Sequence, residues 1–176
     1  LAVGVHKKMT KIKHDIWKSD DDLTSLCFSG ELGEESRGIL ESNSKIIHSF
    51  YADSHFDAMT KYYEFMDWGI YETEFEIDKE PYDLQELKKR EKNRIEIDEI
   101  LWNDWDPIGI NDCAPRDEYQ SYVPRILNMV MNGSTNEEIS IELYHIETET
   151  MGLLGDKKRC VEISNKIIKT TRQQQV

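Results

Sequence analysis

The 176 residues carry 35 aspartates and glutamates against 22 lysines and arginines, a formal net charge of −13, with 38% hydrophobic residues. That length suits one large domain or two small ones. So negative a field argues against nucleic acid or an anionic membrane as a direct ligand, and favours a basic partner or simple solubility.

At the amino end, Leu1 to Lys8 is short and basic and lacks the apolar run of a signal peptide, so Met9 reads as a natural start. No apolar stretch approaches the ~20 residues of a membrane span. Cys27, Cys113 and Cys160 have no paired spacing, which reads as reduced thiols in the cytoplasm.

Residues 11–18 alternate with Ile12, His14 and Ile16 on one side, and residues 23–29 follow with Leu26 and Phe28 inward. Together they predict a hairpin across the turn at Asp20, Asp21 and Asp22. Those aspartates read as a solvated turn, because no glycine or further carboxylate follows at calcium-loop spacing. Residues 30–33 read as a loop and residues 34–40 as a short helix. Residues 44–51 (SKIIHSFY) predict a strand.

Ser54 then caps a helix, with Asp57 at the capping-box position and Gly69 at its close. Phe56, Met59, Tyr62, Tyr63 and Met66 recur at helical spacing. They read as core, because a nucleic-acid stacking platform needs a cationic surround. Residues 70–77 (IYETEFEI) alternate Tyr71, Thr73 and Phe75 against Glu72, Glu74 and Glu76, the pattern of a half-exposed strand. Pro81 can open a helix at Asp83, anchored by Leu84 and Leu87 before the charged run Lys88 to Arg94. Because those leucines need cover, the two modules are expected to bury an interface.

Ile95, Ile97, Ile100 and Leu101 begin the carboxyl half. A helix ending near Trp102 runs into a loop, since Asp106 precedes Pro107 and is pushed out of the α region. The next helix is expected to start near Arg116 to Tyr119, with Pro124 kinking it or marking its first turn. Gly133 is its C-cap. Ser134 and Glu137 fit a capping box for the helix after it, with Ile139, Leu143 and Ile146 as the buried stripe and Gly152 at the end. The last helix runs from its cap Asp156 to about Arg172, with Val161, Ile163, Ile167 and Ile168 inward and residues 173–176 fraying.

These elements predict an α+β chain: a small sheet-and-helix module over 1–80, a charged connector over 81–94, and an all-helical module of about four helices over 95–176. Nucleotide-binding, serine-hydrolase and zinc-protease motifs do not occur. His48 and His55 lie on different elements without cysteines nearby and read as partly buried, hydrogen-bonded side chains. Asp104, Asp106, Gly109 and Asp112 resemble a calcium loop until Ile108 and Pro115 fall where oxygen ligands belong. No metal and no cofactor is expected.

Two stretches carry a resemblance. Trp105-Asp106-Pro107-Ile108-Gly109, Asp117-Glu118-Tyr119 with Tyr122, and Ile146-Glu147 with Met151-Gly152-Leu153 resemble a family of small bacterial proteins over roughly the last half of the chain. Residues 54–82, with Glu80-Pro81-Tyr82, resemble a second recurrent bacterial module. Domains of this sort are similar to those encoded beside polymorphic toxins, which implies an immunity protein and not an enzyme. The expected partner is a basic nuclease toxin of a contact-dependent growth-inhibition system, acting on tRNA or DNA.

Glu138, Glu142, His145 and Glu149 fall on one helix face, with no lysine or arginine between Arg125 and Lys157. That face is either solvated or a docking surface. On the second reading Glu138, Glu142 and Glu149, with Asp104 and Asp106, bind the toxin. The alternative function is a small cytoplasmic enzyme or ligand-binding regulator with a site between the modules. Oligomeric state is left open.

Overall fold

The computed structural model describes residues 10–113 and 115–172. The readings of Leu1 to Lys8, Met9 and residues 173–176 lie outside them. The chain is α+β, a three-stranded antiparallel sheet followed mainly by helices. It divides into two compact units, Leu1–Lys88 and Lys89–Val176.

In the first unit, β1 (Ile12–Lys18) lies between β2 (Thr24–Phe28) and β3 (Lys45–Ala52), antiparallel to both. The register sets His14 opposite Phe28 and Phe50, and Ile16 opposite Leu26 and His48, with a bulge after Ile16. Ile12, His14 and Ile16 are buried on their shared face. On β2 the expected inward residues Leu26 and Phe28 are only half-buried. Cys27, on the opposite face, is the buried one. Residues 30–33 form a 3₁₀ turn leading into α1 (Glu34–Gly38).

Ser54 caps α2 (His55–Met66) by accepting the Asp57 N–H. The Asp57 carboxylate accepts from Asp53 N–H, one residue before the position a capping box uses. The helix closes at Asp67, not Gly69: Asp67 adopts φ 56°, and Trp68 N–H bonds back to Tyr63 C=O at 3.0 Å. An aspartate tolerates this left-handed conformation better than most side chains.

The expected strand over residues 70–77 does not form. The segment is irregular and ends in a 3₁₀ turn, Glu76–Lys79. Alternation supplies two faces, but a strand also needs a ladder partner for its backbone. Here the Thr73 hydroxyl takes the Phe75 N–H, and Phe75 C=O takes the Asp78 N–H, which closes the backbone on itself.

Asp83 caps α3 (Leu84–Ile100), its carboxylate accepting from Gln85 and Glu86 N–H. The helix continues as a π turn, Leu101–Trp105. The second unit then packs α4 (Val123–Met131), α5 (Asn136–His145) and α6 (Lys157–Arg172) around Ile97, Leu101, Ile126, Ile139, Leu143, Ile146, Cys160 and Ile167.

Three boundaries differ from the sequence reading. The helix expected from Arg116–Tyr119 begins only at Val123, after a 3₁₀ turn, and Pro124 occupies its first turn. The capping box is Thr135 with Glu138, one residue later than Ser134 with Glu137. Ser134 N–H is already engaged with Met129 C=O, and Gly133 N–H with Val130 C=O, a Schellman closure of α4 that uses Gly133 at φ 80°. On α6, Val161 is 45% exposed and Cys160 takes the core position. Among the described residues no helix is long and apolar enough to cross a membrane.

Candidate functional site

In the helical unit the most concentrated polar structure is built on Glu147, in the π turn Ile146–Thr150 that extends α5. Such i→i+5 turns recur at functional positions. Glu147 is fully buried. Its Oε1 accepts from Trp105 Nε1 at 2.8 Å and from Arg159 Nη2 at 2.9 Å, and its Oε2 accepts from Asp156 N–H at 2.6 Å. One carboxylate therefore joins the π turn after α3, the loop before α6 and α6 itself. Cys160 lies beside it, and burial together with the Glu147 charge pushes that thiol up to about 12.

Next to it, Asp106 organises the loop after Trp105. It sits at φ 24°, and its carboxylate accepts from Tyr119 Oη at 2.6 Å and from Ile110 N–H at 2.9 Å. Burial works to raise the Asp106 pKa, but the Tyr119, Ile110, Asn111 and Gly109 hydrogen bonds outweigh it and hold the carboxyl below its usual range. The same burial and the Asp106 charge push the Tyr119 phenol up. Trp105 packs its ring against Tyr119 and Tyr122, at centroid distances of 5.6 and 6.1 Å. Trp105, Tyr119 and Glu147 are buried, and the half-buried Asp106 and Tyr122 pack beside them. Their shared arrangement is a scaffold. Nothing in the spacing around Glu147 points to its partners, which are 42, 12 and 9 residues away in sequence. Arg159 was missed altogether.

The five proposed partner-binding residues fare differently. Glu138 accepts from the Thr135 N–H at 2.7 Å and from its hydroxyl at 3.0 Å, so it is the helix cap's own acceptor. Those bonds hold its carboxyl below the ordinary value. Glu142 is bound by Arg125 of α4, with Nη2 to Oε2 at 2.8 Å. Asp104 meets Lys166 at 2.7 Å, and Asp106 is the loop organiser just described. Of these five, only Glu149 is an exposed carboxylate for which no partner is seen among the described residues. On the α5 face, Arg125 of α4 reaches Glu142, and elsewhere Lys166 of α6 reaches Asp104, pairings that helix-face spacing cannot reveal.

Among the described residues of the sheet unit, His14 is the buried histidine, not His48 or His55. Its Nδ1 bonds Ile12 C=O at 3.0 Å, its Nε2 bonds Tyr82 Oη at 3.2 Å, and its ring stacks on Phe50 and Tyr82. Burial lowers its pKa, only partly offset by the Ile12 carbonyl. His48 and His55 are exposed, and His48 stacks on Phe65 with centroids 4.4 Å apart. No group of three His, Cys, Asp or Glu side chains able to hold a metal ion occurs among the described residues.

Residues 67–80 carry the other concentration of chemistry. Trp68, Ile70, Phe75 and Ile77 are 52%, 87%, 69% and 73% exposed. Asp67, Glu72, Glu74, Glu76, Asp78 and Glu80 lie among them, against Lys79 alone. The anchors are Tyr71, against Phe56 and Tyr63, and Trp68, against Tyr62 and Tyr63, with centroids between 5.1 and 5.8 Å.

No family model, no curated protein and no solved structure matches the chain.

Proposed function

We propose that this protein is a protein-binding inhibitor of the immunity type, which neutralises a basic toxin domain in the cytoplasm by covering the surface that engages its anionic substrate. The observation that carries the reading is the surface at residues 67–80, where large apolar side chains stand exposed among six carboxylates and one lysine. Soluble monomers rarely expose contiguous apolar patches beyond a few hundred Å² without an interaction to explain them. Nuclease toxins are commonly basic because their substrates are anionic, and an acidic inhibitor is steered to such a target.

The experiment is co-expression. A basic nuclease toxin domain of a contact-dependent growth-inhibition system, encoded in the same genome as this chain, is induced in cells with and without this protein. Growth arrest relieved by this protein, and nuclease activity of the purified domain inhibited at one equivalent, are the expected results. Unrelieved arrest and full nuclease activity at tenfold excess would overturn the reading.

A further inference from the structure

Resting on that reading, we infer that the toxin-docking surface is the segment of residues 67–80, and that its occupant is a cationic protein face with an apolar centre. At roughly 200 Å² per large side chain, the exposed parts of Trp68, Ile70, Phe75 and Ile77 amount to on the order of 500 Å². That falls short of the ~800 Å² per partner of a stable complex. The surrounding carboxylates supply the remainder as the polar rim that such interfaces have. Trp68 and Phe75 are of the aromatic type enriched at interface centres.

The charge identifies the occupant. Of the six carboxylates, Glu76 meets Lys79 at 2.7 Å and Asp78 accepts from the Thr73 hydroxyl at 2.7 Å. Asp67, Glu72, Glu74 and Glu80 have no partner among the described residues. A second copy of this chain would bring the same negative charges face to face, which disfavours a homodimer through this surface. A basic partner neutralises them. By contrast, Glu138, Glu142, Asp104 and Asp106 already have partners within the chain, and would have to be freed before they could bind another protein.

The segment is also held in place before binding. Tyr71 and Trp68 fasten it to α2, the Thr73 hydroxyl closes its middle, and Tyr82 N–H bonds Asp53 C=O at 2.7 Å. Its side chains are therefore presented with less ordering to do on association.

Two double variants test this, Glu72→Lys with Glu74→Lys, and Phe75→Ser with Ile77→Ser. The control is Glu137→Lys with Glu149→Lys on the α5 side. The probe is a catalytically inactive form of the toxin domain defined above, titrated by calorimetry at low and physiological salt. Circular dichroism melts check that each variant folds like the parent. Both test pairs are expected to weaken Kd at least tenfold, and the control less than threefold. If the parent binds and protects while both test pairs bind as tightly as the parent, the surface is wrong and the inhibitor reading stands. If the parent neither binds nor protects, the inhibitor reading falls and takes this inference with it. Sedimentation of the protein alone supplies a further outcome. A dimer abolished by Phe75→Ser with Ile77→Ser would make a second copy the occupant and overturn the cationic partner.

Discussion

Replacing Glu147 by alanine removes the acceptor of three hydrogen bonds at once, from Trp105, Arg159 and Asp156. Two of those donors, the Trp105 indole and the Asp156 amide, lose their partner within the protein. An orphaned buried donor costs about 1–3 kcal/mol. Arg159 loses its counter-charge, but at 31% exposure it keeps water as a partner, so only part of the about 3–5 kcal/mol cost of breaking a buried pair applies. These terms overlap and do not add, so Glu147→Ala is expected to destabilise the helical unit by about 4 kcal/mol. Trp105→Phe keeps the ring against Tyr119 and Tyr122 but deletes one donor, leaving Glu147 two partners. That variant should lose only about 1–2 kcal/mol. Urea melts followed by far-ultraviolet circular dichroism, which is weighted to the helices, read both. At a slope of about 2 kcal/mol per molar urea, the midpoint should fall by about 2 M for Glu147→Ala and by less than about 1 M for Trp105→Phe. A shift below about 0.5 M for Glu147→Ala, with an unchanged slope, would refute the idea that this carboxylate ties the helices together.

Two further outcomes follow from the titrating groups. His14 is buried with a pKa below 6.5, so its contribution is complete above about pH 6.5 and is lost as the pH falls through that value toward the folded pKa, because the unfolded chain then binds the proton and the folded one resists it. Fluorescence melts sensitive to Trp17 and Trp68 should therefore show the sheet unit losing stability between about pH 7 and 5, with a shallower dependence in His14→Phe; equal slopes would contradict it. Cys113 is exposed while Cys27 and Cys160 are buried, with thiols pushed up by burial, so native alkylation read by mass spectrometry should modify Cys113 alone, and a second adduct without denaturant would be inconsistent with this core.

Much of the fold was legible because local chemistry and tertiary packing agree. Ile12, His14 and Ile16 alternate and are buried together, Ser54 caps α2, and Ile139, Leu143 and Ile146 face the helical core. Errors arose where one hydrogen bond chose between near-equivalent residues. Ser134 and Thr135 both precede a glutamate by three positions, and the Schellman closure of α4 engages the first and leaves the cap to the second. Residues 70–77 have a strand's alternation without a neighbour to pair with, and pairing is not encoded in one segment's periodicity. The ion pairs of Glu142 on α5 with Arg125, and of Asp104 with Lys166, span 17 and 62 residues, beyond any helical spacing. The surface at residues 67–80 has a signal in the sequence: Tyr71, Phe75 and their neighbours alternate with acids over residues 70–77, just after Gly69, a pattern that a half-exposed strand and an irregular exposed segment share.

The most direct measurement of where this protein meets its partner is amide hydrogen exchange of the complex with the inactive toxin domain, compared with the protein alone. The account predicts that new protection concentrates at residues 68–78. Protection concentrated instead on α5 and the turn bearing Glu149, with residues 68–78 exchanging as they do in the free protein, would contradict it.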